Sequence, residues 1–269
     1  MELCHRVDVG GMQTIDVCGT GGDGKDTFNI STLSSFVIAG AGYKVVKHGN
    51  KSVSSNCGSS DVLASLGYDF TNDASTLLRQ LEKTNYCYFH APLFHPSLKS
   101  VGAIRRDLGT RTFFNMLGPL VNPASPTHQL VGVFSLKLMR LYEGIFEGLG
   151  HKYSIVHGLD GFDEISLTDK TKVVSSNSGT AILEATHFGL PNYNLQDING
   201  GTTIEDAKEI FVNVLINKST SAQRDVVLAN SALAIDSFKD ISDIQGSVAE
   251  ARESLESGRA LNVLKQVTQ

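Results

Sequence analysis

The chain contains no tryptophan and has only four cysteines and six prolines among its 269 residues. It also lacks any long apolar run. A membrane-spanning helix needs roughly 20 consecutive apolar residues, so no such span is expected. The opening Met1-Glu-Leu-Cys-His-Arg has no apolar core of the secretory kind, and a cytoplasmic location is the expectation. Cys4, Cys18, Cys57 and Cys87 form no C-x-x-C pair, and no histidine cluster has zinc-like spacing. Free thiols in a reducing compartment follow. Lysine and arginine total 23 against 28 acidic residues, a formal net charge of −5. Broad nucleic-acid binding needs a basic surface and is excluded. Repeats, low-complexity tracts and long linkers are absent too. The one proline-rich patch, at 118–126, is too short for a linker and reads as a change of chain direction.

What the chain does have is glycine, 26 of them, within an ordinary hydrophobic fraction of 41%. The length suits one large domain or one domain with a small companion. Strand and helix patterns alternate along it. Strands are expected at 14–18, 44–47, 87–90, 129–134 and 153–157. Helices are expected at 31–41, 59–66, 74–83 and 136–149, with short ones at 96–108 and 112–117. A hairpin of 162–167 with 172–174 reads as a small antiparallel excursion. Amphipathic helices at 204–216, 222–235 and 248–257 close the chain. Such alternation predicts an α/β fold, a central mostly parallel sheet flanked by helices.

One stretch is the most informative. Asp16-Val-Cys-Gly19-Thr-Gly21-Gly22-Asp23-Gly24 runs from a strand pattern into a glycine loop. Asn29, Ser31 and Thr32 then open a helix. Glycines let backbone N–H groups converge on a ligand, and a helix N-terminus adds unpaired donors and partial positive charge. That combination holds phosphate. The next strand delivers a second polar loop, Lys47-His48-Gly49-Asn50-Lys51-Ser52-Val53-Ser54-Ser55, which suggests a substrate with phosphate at more than one position. A solitary cap would explain one of Asn29, Ser31 and Thr32, and three exceed that need. Gly19-x-Gly21-x-x-Gly24 also fits a dinucleotide fingerprint. That reading wants an acid ending the next strand; here Lys47-His48 stands there, and Asp23 inside the loop would repel a pyrophosphate.

Asp163-Glu164 reads either as a solvated turn or as a magnesium site, since Mg²⁺ binds through one or two carboxylates plus substrate phosphates. Ser31 is a hydroxyl that can join such a shell. Lys47 ends a buried strand and is a phosphate contact by position. His95-Pro96 and Arg105-Arg106 bracket a helix pattern, and an arginine fork there can hold a planar carboxylate.

GTGGDG, N-x-S-T, KHGN, GS-x-DVL, R-x-x-LG-x-RT-x-FN-x-LGPL-x-NP and DE occur in that order from about Thr14 onward. In this the chain resembles the anthranilate phosphoribosyltransferases over nearly its whole length. The resemblance implies a nucleoside phosphorylase/phosphoribosyltransferase-like fold and transfer of the phosphoribosyl group from phosphoribosyl pyrophosphate to anthranilate in tryptophan biosynthesis. Carried over by motif, it places Gly19, Gly22, Asp23, Thr27, Asn29, Ile30, Ser31, Thr32, the loop Lys47 to Ser55 (with His48, Gly49, Asn50, Lys51, Ser52, Val53 and Ser54) and Ser59 on phosphoribosyl pyrophosphate. It places Gly19, Asn50, His95 and Arg105 on anthranilate, and Ser31, Asp163 and Glu164 on Mg²⁺. No residue is assigned as a catalytic base. The resemblance further implies an α/β domain at 1–90 and 123–269, a small helical lobe whose remnant is 91–122, and the family's homodimer. Family members carry further helices before the glycine loop, and this chain begins at the position matching the end of that segment. The alternatives are a binder of phosphoribosyl pyrophosphate without turnover and a pyrimidine nucleoside phosphorylase of related fold.

Overall fold

A computed structural model describes residues 4–51, 57–96 and 116–269. Its centre is a seven-stranded sheet. The strands are β1 (Thr14–Gly19), β2 (Lys44–Gly49), β3 (Tyr86–His90), β4 (His128–Gly132), β5 (Lys152–Gly158), β6 (Thr171–Ser175) and β7 (Gly179–Leu183). Their spatial order is β3-β2-β1-β4-β5-β6-β7. The first five in chain order run parallel, and β6 and β7 are antiparallel additions. The chain builds outward from β1 in one direction through β2 and β3, then returns to β4 on its other side. That reversal opens a crevice beyond the carboxyl end of β1, where α/β sheets bind ligands.

The helices are α1 (Ile30–Gly40), α2 (Ser59–Ser65), α3 (Ala74–Thr84), α4 (Ala91–Phe94), α5 (Leu136–Leu149), α6 (Ile204–Leu215), α7 (Ser221–Asp236), α8 (Ile244–Glu256) and α9 (Arg259–Val267). Side chains cap α3, α5, α6, α7 and α8: Asp73, Ser135, Thr203, Thr220 and Asp243 each accept from a first-turn N–H. α7 is buried almost all round, sandwiched in the apolar core that also takes in α1, α8 and α9. A helix in that position has to be apolar on every face, and Val226–Ile235 largely is. Smaller clusters lie between α3 and β2–β3 and between α5 and β4–β5. Among the described residues no helix is long and apolar enough to cross a membrane. The four cysteines are free.

Two expectations change. The segment 162–167 is not a strand: it is irregular, and Leu167 has φ +59°. The side chain of Asn230 takes both backbone groups of Ile165, accepting from its N–H at 3.1 Å and donating to its carbonyl at 2.8 Å. With those groups engaged, the segment has no ladder to join. The hairpin is formed instead by β6 and β7, and β7 and α9 were not expected from the sequence. The expected helix at 96–108 and most of that at 112–117 lie outside the described residues.

His128 opens β4, 2% exposed, with its ring stacked on Phe238 at 4.1 Å. Burial, and after it Lys152, lowers its pKa from 6.5 to about 4. Between those values the unfolded chain binds more protons than the folded one, so this group removes stability as pH falls. His128→Phe keeps the stack and removes the titration. Urea midpoints at about pH 7 and about pH 4.5 should lie closer together in that variant than in the parent; an unchanged gap would clear His128 of any part in acid sensitivity.

Candidate active site

The crevice at the strand ends is a cavity of about 320 Å³. Its floor is set by two glycines paired in register, Gly19 ending β1 and Gly132 ending β4. A Cβ on Gly132 would stand 1.4 Å from the Asp163 carbonyl oxygen, and one on Gly19 would stand 2.5 Å from an Asp163 carboxylate oxygen. The backbone of Asp163 at Gly132, and its carboxylate at Gly19, therefore occupy space that any side chain would fill. Asn230 on α7 holds the far side of the 163–165 segment. Asp163 accepts from the Gly21 N–H at 2.7 Å, and Glu164 accepts from the Ser31 N–H at 3.2 Å, at the first turn of α1.

α1 differs from the capped helices. Asn29 precedes it but makes no side-chain cap. Its amide instead donates to the Cys57 carbonyl at 3.1 Å, and its Oδ1 is buried without a partner among the described residues. The capping role expected for such residues is thus taken by a carboxylate from 133 residues away. Asp163 is only 7% exposed. Burial pushes its pKa up, and Asp23 nearby pushes it further. Burial, then Asp163 and Asp23, push Glu164 up as well. The solvated-turn reading of this pair fails. Asp163, Glu164 and the Ser31 hydroxyl could serve as hard-oxygen donors lining the same cavity, where Asp23 crowds the acid pair and a divalent cation would relieve the repulsion. Among the described residues no three His, Cys, Asp or Glu side chains form a complete metal cage. Mg²⁺ does not need one when phosphates and water complete its shell.

Lys47 lies 2% exposed under this wall. Its ammonium donates to the Val17 carbonyl at 2.5 Å and to Ser31 Oγ at 3.4 Å. An ammonium has three donors, and among the described residues two are taken, which leaves one for a ligand. Burial lowers its pKa, opposed by Asp16. Asp16 is itself raised to about 6 by burial, and it accepts from the His48 N–H at 3.2 Å and the Asn122 amide at 2.8 Å. His48 Nδ1 meets the Gly118 carbonyl at 3.1 Å, and its ring lies edge-on to His95 at 5.1 Å. Burial lowers the His48 pKa to about 3, so the ring is neutral. A more open crevice of about 420 Å³ beside α8 is lined by Arg252, Glu253 and Glu256. Its charges are paired, Arg252 with Glu256 at 3.7 Å and Glu253 with Arg259 at 3.2 Å, so it offers no comparable site.

The model of the glycosyl transferase family a/b domain matches residues 11–261. The anthranilate phosphoribosyltransferase of Cytophaga hutchinsonii is 54% identical, over 99% of this chain and 81% of its own length. That of Christiangramia forsetii is 51% identical, over 99% and 80%. The chain belongs to the anthranilate phosphoribosyltransferase family. Among solved structures, the Saccharomyces cerevisiae family member in complex with PRPP and Mg superposes with a TM-score of 0.92 at 32% identity, over 99% of this chain and 76% of that one. The Thermus thermophilus family member gives 0.92 at 33%, over 99% and 80%.

The structure gathers most of the positions expected from the motifs of this phosphoribosyltransferase family. Gly19, Gly22, Asp23, Thr27, Asn29, Ser31, Thr32, the loop Lys47 to Lys51, Ser59, His95, Asp163 and Glu164 all border the one cavity. Ile30 does not: its side chain is fully buried in the core and only its backbone sits at the helix start. Ser52, Val53, Ser54, Ser55 and Arg105 lie outside the described residues. Sequence reasoning missed Gly132, Asp16, Asn122 and Asn230. For Asn230 a signal existed, an amide in the middle of an apolar helix pattern. Gly132, ending a strand, gave none that distinguishes it from an ordinary turn glycine.

Gly132→Ala should displace the acid segment. A loss of roughly 1–3 kcal/mol is expected from overpacking, with transferase activity lost well beyond what the melting shift explains. Gly144, on the exposed face of α5, has open space around it; Gly144→Ala should instead stabilise by about 0.5–1 kcal/mol. Thermal melts and activity on both variants check this. Full activity in Gly132→Ala would mean the segment tolerates another path.

Proposed function

We propose that the chain transfers the phosphoribosyl group of phosphoribosyl pyrophosphate to the amine of anthranilate, releasing pyrophosphate, as an enzyme of tryptophan biosynthesis. The observation that carries this reading is the acid pair, Asp163 buried and Glu164 half-buried, bound to the glycine loop and the start of α1 beside Lys47, at the switch point of the sheet. The glycine loop, Thr27, Asn29, Ser31, Thr32, the loop from Lys47 to Ser55 and Ser59 hold the phosphates and ribose. Ile30 contributes through its backbone alone. Gly19, Asn50, His95 and Arg105 receive anthranilate. Ser31, Asp163 and Glu164 would hold Mg²⁺, which supplies positive charge to the leaving pyrophosphate.

As the bond from C1 to pyrophosphate lengthens, negative charge collects on the departing oxygens and positive character on the sugar. Lys47 and those N–H groups of the glycine loop and α1 that Asp163 and Glu164 do not already take face that negative charge, as fixed donors that need no reorganisation when it appears. The aromatic amine is a weak nucleophile, so holding it behind C1 supplies a large part of the acceleration. The Arg105 guanidinium matches the anthranilate carboxylate as a planar fork. In the same proposal 91–122 is the remnant of a small helical lobe against an α/β domain of 1–90 and 123–269, and the enzyme is cytoplasmic.

Anthranilate fluorescence lost on adding phosphoribosyl pyrophosphate and Mg²⁺ tests turnover directly; binding without loss of fluorescence would leave a binder only. Asp163→Asn with Glu164→Gln should abolish turnover and shift the magnesium requirement upward. A parental magnesium titration in that double variant would contradict the metal assignment. Lys47→Ala should cost on the order of tenfold to a hundredfold in affinity for phosphoribosyl pyrophosphate, as a charged hydrogen bond is worth about 1.5–3 kcal/mol. Arg105→Ala should raise the KM for anthranilate alone, with Arg105→Lys a poor rescue. Equal weakening of both substrates in either position would indicate a damaged fold.

A further inference from the structure

Behind Ser59 lies a chain of polar groups, Tyr88, Ser60 and His90, that the proposed reaction does not yet use. Ser59 opens α2 and borders the cavity. Its Oγ lies 2.7 Å from the Tyr88 hydroxyl. That hydroxyl lies 2.8 Å from Ser60 Oγ, and Ser60 Oγ lies 2.8 Å from His90 Nδ1. At the other end, Ser59 Oγ stands 3.3 Å from the Asn50 carbonyl, which also accepts the Ser60 N–H. Tyr88 and Ser60 are fully buried. The His90 ring is stacked on Phe70 at 4.7 Å. A Cβ on Gly49 would fall 2.3 Å from both Ser59 Oγ and the Tyr88 hydroxyl. The end of β2 and this chain therefore meet at one point.

The protons of such a chain can be counted. Each hydroxyl donates once, and the Asn50 carbonyl only accepts. Suppose His90 Nδ1 carries no proton. Ser60 then donates to it, Tyr88 to Ser60 and Ser59 to Tyr88, and Ser59 shows the cavity only lone pairs, which a phosphate oxygen repels. Suppose instead that Nδ1 carries a proton. His90 donates to Ser60, Ser60 to Tyr88 and Tyr88 to Ser59, and the Ser59 proton is freed, to meet the Asn50 carbonyl or an incoming anion. Of the mixed orders, one with Tyr88 accepting from both serines strands a buried phenol proton without an acceptor among the described residues, and one with Ser60 donating to a bare Nδ1 and Tyr88 donating to Ser59 sets lone pair against lone pair across the 2.8 Å Ser60–Tyr88 contact. Burial lowers the pKa of His90, with Lys51 lowering it further and Asp61 opposing. Its ring is therefore neutral near neutral pH, and the tautomer decides the order.

We propose that Tyr88, Ser60 and His90 are positioning residues, a proton-ordering relay that presents the Ser59 hydroxyl as a donor to a phosphate oxygen of phosphoribosyl pyrophosphate, with His90 as its Nδ1–H tautomer. The proposal rests on the placement of Ser59 against phosphate made above. Tyr88→Phe removes one oxygen and keeps the ring. His90→Phe keeps the stack on Phe70 and removes the donor.

The test is a cycle of KM values for phosphoribosyl pyrophosphate in Ser59→Ala, Tyr88→Phe, His90→Phe and their combinations with Ser59→Ala. Ser59→Ala should raise the KM by about tenfold, the scale of a hydrogen bond to a charged acceptor. Tyr88→Phe should raise it roughly threefold to tenfold, with kcat and the KM for anthranilate nearly unchanged, whereas His90→Phe, which leaves Ser60 no acceptor but Tyr88, should keep the productive order and a KM near the parental one. Neither should add anything once Ser59 is alanine. Nitrogen-15 NMR of the parent enzyme, with phosphoribosyl pyrophosphate and Mg²⁺ and no anthranilate, should show His90 protonated at Nδ1. A normal KM in Ser59→Ala would remove Ser59 from the phosphate and the relay with it. A raised KM in Ser59→Ala, with Tyr88→Phe either silent or equally harmful in both backgrounds, would overturn the relay alone. So would His90 protonated at Nε2.

Discussion

The site depends on one steric constraint, the passage of the backbone at Asp163 through the gap left by two glycines. Gly19 and Gly132 sit side by side at the ends of β1 and β4, and the approach of the Asp163 carbonyl to Gly132 leaves no room for a methyl group. That passage brings two carboxylates against the glycine loop and the first turn of α1, where N–H groups are waiting. It also explains why α1 has no side-chain cap. The acids serve that end of the helix from across the sheet, and the orientation of the helix dipole favours them there.

The charges around this passage form a balanced but costly set. Asp16, Lys47 and Asp163 are removed from water and Glu164 is half-buried, and burial shifts each toward its neutral form. Isolated buried charges are expensive unless they are paired and hydrogen-bonded. Asp16 meets this with the Asn122 amide and the His48 N–H, and Lys47 meets it with the Val17 carbonyl. The acid pair meets it only in part. Perturbed groups gathered at the mouth of a cleft are what a site for a polyanion and its cation requires, and strain of this sort is tolerated where function uses it.

Much of the fold was legible from periodicity. The strands at 14–18, 44–47 and 153–157 and the helix at 136–149 are where their patterns put them, because alternation and helical spacing are local signals. The hairpin was misread for a reason that is not local. Residues 162–167 are apolar enough to resemble a strand, but Asn230, 65 residues on, takes the backbone groups of Ile165. β7 was missed because its residues are mostly exposed, leaving little hydrophobic contrast to read.

By itself the sequence determined the alternating α/β order, the glycine loop before α1, the polar loop after β2 and the family, since these reside in short runs whose residue types carry their own chemistry. It also named the acid pair as a candidate. Only the tertiary structure decided that Asp163 is buried and Glu164 half-buried against the glycine loop and α1 rather than both in a solvated turn, that Ile30 turns into the core, that Asn29 leaves α1 uncapped, and that Tyr88 and His90 stand behind Ser59. Those facts depend on which side chains meet across the sheet, and burial and hydrogen-bond partners separated by tens to hundreds of residues are set by packing rather than by any local pattern.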